Sequence, residues 1–262
     1  MVTYTNRSST QRSLLVLLHP RGQGRLFAAL LAAGLAAGWV SVTRLSLPLW
    51  GAAALLVALL SYPALRKWRA DLRELGTPAT VLGVLLVTQA LHTAEHVAQW
   101  VQYHLLGWPL KAASGIISPL NAEVVHFSWN VAVLLAVAGL VAAGFRSRWM
   151  WLLLLWAGAH SAEHTYLFVR YLQEVQRLAE AGLPIAAAQG LPGFFGKGGW
   201  LASNAPSSGP VAFLCALAPG FTSAPRLDVH FWWNLGEVAL LLPAAHASVR
   251  RVGDAAAPKT AA

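Results

Sequence analysis

The sequence predicts an all-α integral membrane protein of six transmembrane helices, in which helices 3–4 and 5–6 form a pseudo-twofold four-helix bundle. Three observations lead there. Hydrophobic residues make up 56% of the 262 and charged residues only 11%, with a mean hydropathy of +0.53, values that suit a polytopic membrane protein rather than a soluble domain. The apolar runs reach the length of about 20 residues that a helix needs to cross the hydrocarbon core. Basic residues collect at alternate ends of those runs, the pattern that orients a polytopic chain.

Residues 1–25 form a basic cytoplasmic N-terminus. Such a leader is long for the n-region of a signal peptide, so the first apolar run is expected to stay as an anchor. Predicted helix 1 (about 26–43) and predicted helix 2 (about 46–65) make a two-helix anchor hairpin over 26–75, with a tight outer turn near Pro48 and a basic inner loop at its end. "AAGLAAG" at 32–38 places Gly34 and Gly38 in a small-xxx-small spacing, which lets helices approach closely in lipid and offers a homo-oligomer contact. Predicted helix 3 runs from Pro78 to about Tyr103. A short outer loop with Pro109, Gly115 and Pro119 leads to predicted helix 4, about 120–144, completing a first hairpin over 76–148. "FRSRW" then turns the chain. Predicted helix 5 (Trp149 to about 175), an outer loop at 180–225 rich in Gly, Pro and Ser, and predicted helix 6 (about 227–248) make a second hairpin over 149–250. Residues 251–262 read as a disordered tail. Trp100, Trp108, Trp200 and Trp232 fall near the outer boundary, and Trp68, Trp149 and Trp151 near the inner one, the depths at which aromatic belts sit.

The net charge of +9 raises nucleic acid as a partner, and its placement argues against one. Arg7, Arg12, Arg21 and Arg25 precede the first apolar run. Arg66, Lys67, Arg69 and Arg73 follow the second, Arg146 and Arg148 the fourth, and Arg250, Arg251 and Lys259 the sixth. This distribution puts both termini in the cytoplasm of a bacterial-type plasma membrane. A single cysteine, Cys215, excludes an internal disulfide and any Cys-rich zinc module.

Two polar boxes recur along this apolar chain. "HTAEH" at 92–96 is matched by "HSAEH" at 160–164, and "VHFSWN" at 125–130 by "VHFWWN" at 229–234, in the same order. The second copy is longer by the 180–225 loop. A parallel internal repeat of two helical hairpins accounts for this.

At 100° per residue, His92, Glu95, His96, Gln99 and Tyr103 share an arc of about 100° on predicted helix 3, and His160, Glu163, His164 and Tyr171 do so on helix 5. Glu123, His126 and Asn130 share a face of helix 4, and His230, Asn234 and Glu237 one of helix 6. Asp228 points away, and either caps helix 6 or pairs with Arg226. Helix directions put all four boxes on the order of 10 Å below the outer surface. Ionisable side chains in hydrocarbon cost about 2.5–3.5 kcal/mol each on insertion scales, so these groups must pair, face water or bind an ion. Histidines at i and i+4 chelate one ion from one helix, and a nearby carboxylate ligates or holds an imidazole N–H. The expected metal ligands are His92, Glu95, His96, Glu123, His126, His160, Glu163, His164 and His230. Gln99, Asn130, Asn234 and Glu237 are expected behind them. Imidazole with carboxylate suits iron, copper or zinc. His19 and His246 read as ordinary surface residues, and His104 as ordinary or part of the outer rim.

Three functions follow. The first is a membrane oxidoreductase with a dinuclear non-haem centre near the outer leaflet, served by an electron donor and taking a lipophilic or outer-side small substrate. Its box spacing is loosely similar to that of integral-membrane hydroxylases and desaturases. Their boxes, however, include paired histidines and face the cytoplasm, whereas these carry glutamate and face outward. The second is a b-type haem electron-transfer protein, with axial histidines from facing helices. The third is a non-catalytic metal-binding, sensor or transport protein. Against transport, "VAVLLAVAGLVAAG" and "WMWLLLLWAG" give the inner halves no polar path. HxxEH is also a zinc-protease pattern, and two copies inside membrane helices do not suit that soluble fold. "GLPGFFGKGGWL" at 190–201 reads as a lid over the site or as an interfacial loop.

Overall fold

A computed structural model describes residues 14–255. Among them the chain is all-helical, without strands. After a single turn of helix, α1 (Leu15–Leu18), come α2 (Gly24–Leu45), α3 (Leu49–Glu74), α4 (Thr77–His104) and α5 (Glu123–Ala142). Among the described residues these last four are the helices long and apolar enough to cross a membrane, as expected of an integral membrane protein. Next are α6 (Arg148–Glu180), the short α7 (Trp200–Asn204), α8 (Pro210–Leu217) and α9 (Gly220–Ser223), and α10 (Arg226–Ala255). With 33 and 30 residues, α6 and α10 have ample length. They are less apolar because α6 ends in "RYLQEVQRLAE" and α10 carries Arg226, Asp228 and Glu237. The expectations for residues 1–13 and 256–262 lie outside the described residues, as do those for the side chains of Arg250 and Arg251.

The chain divides into two compact units. One draws on residues up to Ala90, on Ala136–Leu154 and on residues from Val238. The other comprises Leu91–Leu135 and Leu155–Glu237. In the first, Leu82, Val137, Met150, Leu153, Ala244 and Ala245 are buried. Gly34 and Gly38 lie against α3. An added Cβ at Gly34 would stand 2.6 Å from Leu56 Cδ1, and one at Gly38 would stand 3.5 Å from Ala52 Cβ. The small-residue face that the sequence offered to a second copy is therefore used within the chain. Leu35 and Trp39, at 56% and 72% exposure, point from α2 to the surroundings, as lipid-facing side chains would.

The basic inner loop expected after predicted helix 2 is helical. α3 continues through Pro63 to Glu74, and its ionic groups explain why. Lys67 and Asp71, four residues apart, are both buried and paired. The Lys67 ammonium also donates to the Leu17 carbonyl, at the end of α1. Arg21 donates from Nε to Asp71 Oδ1 at 2.9 Å and from Nη1 to Glu74 Oε2 at 2.6 Å. Basic side chains read as part of the cytoplasmic N-terminus and inner loop thus tie Leu17 and Arg21 to α3. The 180–225 loop also differs from expectation: it folds into α7, α8, α9 and a 3-10 turn at Ile185–Ala188.

Gly34→Leu is expected to destabilise the protein by about 1–3 kcal/mol through overpacking against Leu56. Gly139→Leu, where a Cβ meets nothing within 4 Å, is the control. Thermal unfolding in detergent should show a lowered Tm for the first variant and little change for the second.

Candidate metal centre

Every residue predicted for the site falls in the second unit. α4 supplies His92 and His96 one turn apart, and α6 supplies His160 and His164 in the same way. α5 and α10 supply His126 and His230 from their first turns. The six rings make one continuous cluster. Ring centroids lie 4.7 Å apart for His92–His96, 5.5 Å for both His92–His126 and His96–His126, and 4.9 Å for both His160–His164 and His164–His230. The two groups join through His126 and His164, stacked at 5.4 Å with planes 8° apart, and through His96–His230 at 6.0 Å.

Ring nitrogens divide into held and unheld. His96 Nδ1 faces Gln99 Oε1 at 3.0 Å, His160 Nδ1 faces Glu237 Oε2 at 3.2 Å, and His230 Nδ1 faces the Arg226 carbonyl at 2.9 Å. Each is an N–H donating to oxygen, which fixes the tautomer and leaves Nε2 as a lone-pair donor. Among the described residues, His160 Nε2, His230 Nε2 and both nitrogens of His164 are buried without a hydrogen-bond partner. His92 Nε2 and His96 Nε2 face each other at 3.3 Å. Two tetrahedral ligands with metal–nitrogen bonds of about 2.0–2.1 Å stand about 3.3–3.4 Å apart. One ring nitrogen from each of His92, His96 and His126 lies within 4.8 Å of the other two, close enough that the three could hold one ion. The donor set and its spacing fit a divalent transition-metal ion.

Glu95, Glu123 and Glu163 each have an oxygen engaged outside the ring cluster, while Glu163 Oε2 is buried without a hydrogen-bond partner among the described residues. Glu95 Oε1 accepts the Ile117 amide at 2.7 Å, and Glu163 Oε1 accepts the Phe194 and Phe195 amides at 3.0 and 3.5 Å. Glycine makes both contacts possible. A Cβ on Gly115 or Gly193 would lie 2.1 or 2.0 Å from the respective Oε1, and Gly115 also has φ +80°. Glu123 is bound by Arg226, with Nη1 2.6 Å from Oε1 and Nη2 2.8 Å from Oε2, a bidentate charge-assisted pair. Arg226 also donates to the Leu191 carbonyl at 2.9 Å. Asp228 does not pair with Arg226; it meets His104 Nε2 at 2.7 Å. Of the four acidic groups expected at the site, Glu237 touches an imidazole and the other three hold loops or a guanidinium.

Residues behind the rings pair by position. Asn130 Nδ2 donates to the His126 carbonyl, and Asn234 Nδ2 to that of His230, both at 2.9 Å. The His92 ring lies 5.6 Å from Trp129, and that of His160 lies 5.2 Å from Trp233, stacked with planes 5° apart. Tyr171 stacks on Phe168 and Tyr103 contacts His104, so both turn to neighbours other than the six histidines.

A cavity of about 520 Å³ adjoins the cluster, lined by His96, His126 and His230 together with Gln99, Lys111 and Arg226. Sequence reasoning missed several residues that shape this region. Gln102 exchanges two hydrogen bonds with Gly115, donating at 2.9 Å and accepting at 2.8 Å. It follows Glu95 by two helical turns, so its position on that helix face was available in the sequence. Asn121 accepts from Gln99 and donates to the Ser114 carbonyl, and Gln189 accepts the Glu123 amide at 3.2 Å. These two sit in loops, where periodicity carries no signal.

Removing the Glu163 carboxylate is expected to loosen the 193–201 segment. Glu163→Ala forfeits hydrogen bonds worth about 0.5–1.5 kcal/mol each, so hydrogen exchange at the Phe194 and Phe195 amides should accelerate about threefold or more. Glu163→Gln keeps an acceptor oxygen and should exchange at a rate between the two.

Comparison with family models, curated proteins and solved structures finds no match to this chain.

Proposed function

We propose that this chain is an integral membrane oxidoreductase. It would cross the bilayer six times as two related four-helix-bundle hairpins behind an anchor hairpin. Its six histidines would hold a dinuclear non-haem centre near the outer leaflet. One observation carries the reading. The Nδ1 atoms of His96, His160 and His230 are tied to oxygen acceptors, while unpartnered ring nitrogens of His160, His164 and His230 lie buried in the same cluster. Imidazoles anchored through one nitrogen and bare at the other are prepared for metal. His92, His96 and His126 would serve one ion, and His160, His164 and His230 the other.

Repeated contacts support the two-hairpin reading. Glu95 and Glu163, Asn130 and Asn234, and Trp129 and Trp233 stand in corresponding positions and make corresponding contacts. A redox-capable ion, iron or copper, suits a mainly imidazole ligand set. The cavity reaching His96, His126 and His230 favours a reactive site over a purely structural one, because structural sites are closed and catalytic ones keep an open position. Haem is disfavoured by packing: rings 4.7–6.0 Å apart across the cluster leave no planar slot for a porphyrin.

Elemental analysis of the purified protein should find two equivalents of metal, and the visible spectrum should lack a Soret band. His96→Ala and His164→Ala are each expected to lose at least one equivalent. Unchanged metal content in both variants, or none in the parent, overturns the shared centre. Glu237→Gln, which weakens the acceptor behind His160, should lower metal affinity by about 10–100-fold in a chelator competition.

A further inference from the structure

We propose that the cavity beside the histidine cluster admits a small water-soluble anion, delivered from the aqueous side bearing the 105–122 and 181–225 loops, and not a lipid drawn from the bilayer. The inference rests on the metal reading for what the anion meets at the cavity's end.

Size comes first. About 520 Å³ lies within the range of about 300–1,000 Å³ typical of small-molecule sites and is small for a lipid with long acyl chains. Access comes next. Leu110 and Lys111 on the wall are exposed, as are Ala186, Ala187 and Gln189, all of them on the two loops. The route from these residues to His96, His126 and His230 thus begins on the connecting segments and not on the apolar faces of the long helices. Charge then selects among the molecules that fit. Arg226 and Glu123 offset each other in their bidentate pair, and among the described lining residues the Lys111 ammonium remains. Any bound ion adds further positive charge. A cleft of one sign with low-dielectric walls concentrates ligands of the opposite sign. Apolar walls at Leu110, Ala113 and Leu227 leave room for a short organic body behind an anionic head.

Thiol labelling tests this in the full-length protein, with Cys215→Ser as background. Ala113 is 6% exposed and lines the cavity, so Ala113→Cys reports on its interior. Sulfonate-bearing and trimethylammonium-bearing methanethiosulfonate reagents are applied to sealed vesicles from the loop side, each rate normalised to that with a free small thiol. The anionic reagent is expected to react faster by about threefold or more at low salt, and Lys111→Glu should abolish or invert that preference. Equal rates, a cationic preference, or no reaction with either reagent overturns the proposal. Should Ala113→Cys fail to fold, Ala187→Cys on the same wall is read by the same criteria. Labelling reads the cavity and not the metal. A chain that holds no metal yet keeps the charge preference therefore removes the proposed centre and leaves the anion route. A metal-loaded chain without the preference does the reverse.

Discussion

The constraint on which the second unit depends is the cost of burying imidazoles. A buried polar atom left without a partner costs about 1–3 kcal/mol. The cluster has several such atoms, on His160, His164 and His230. Natural structures rarely keep that many orphans in one place without a use for them. Here Gln99, Glu237 and the Arg226 carbonyl each take an Nδ1. The satisfied nitrogen fixes the ring, and the cost is left on nitrogens of His126, His160, His164 and His230, with Glu163 Oε2 and Asn234 Oδ1 also unpartnered among the described residues. On the proposed reading, ion binding recovers it.

A division of labour follows for the carboxylates. Glu95 and Glu163 sit one residue before a cluster histidine, yet each sends its oxygen to the backbone of a loop. Glu123 is committed to Arg226, and that pair also holds the Gly190 amide and the Leu191 carbonyl. The acidic residues therefore fix the loops around the histidines. That arrangement keeps the environment of the rings mainly imidazole, and it makes the loops part of the site. The 190–201 segment is tied to the same helix turn that carries His164, so its position and that of the rings are set together.

Much of this was legible in the sequence because periodicity and topology are both read from spacing. The i, i+4 histidines must share a face of a helix, and a hairpin brings the ends of its two helices together, so the four boxes converge without any knowledge of packing. Side-chain partners were less legible. The carboxylate of an HxxEH box is compatible with a metal or with a loop amide, and spacing alone does not show that Gly115 and Gly193 bring a loop against one oxygen of each. Loop residues such as Asn121 and Gln189 carry no period at all. The basic run at 66–73 misled for a different reason. The alternation of basic residues marked it as an inner loop, whereas it is helical and holds the buried Lys67–Asp71 pair and its contact with Arg21. Gly34 and Gly38 signalled close helix packing correctly, but spacing cannot say whether the partner is another chain or the next helix.

On the proposed two-hairpin reading, the hairpins correspond in scaffold and differ in what holds the rings. Asn130 and Asn234, and Trp129 and Trp233, do matching work. The supports behind the first nitrogens do not match. His96 leans on the neutral amide of Gln99, and the position equivalent to Gln99 in the second copy is Leu167. His160 leans on the Glu237 carboxylate, and the equivalent of Glu237 in the first copy is Val133. A carboxylate behind an imidazole raises its basicity as a ligand more than an amide does. Two ions held by these two sets would therefore differ in electron density although their immediate ligands are the same. The cavity adds to the asymmetry, since it is lined by His96 and His126 of one proposed set and by His230 alone of the other. On the proposed reading, a centre backed by an amide behind His96 and by a buried carboxylate behind His160 would be unequal, and such inequality would let one ion meet a substrate while the other supplied charge.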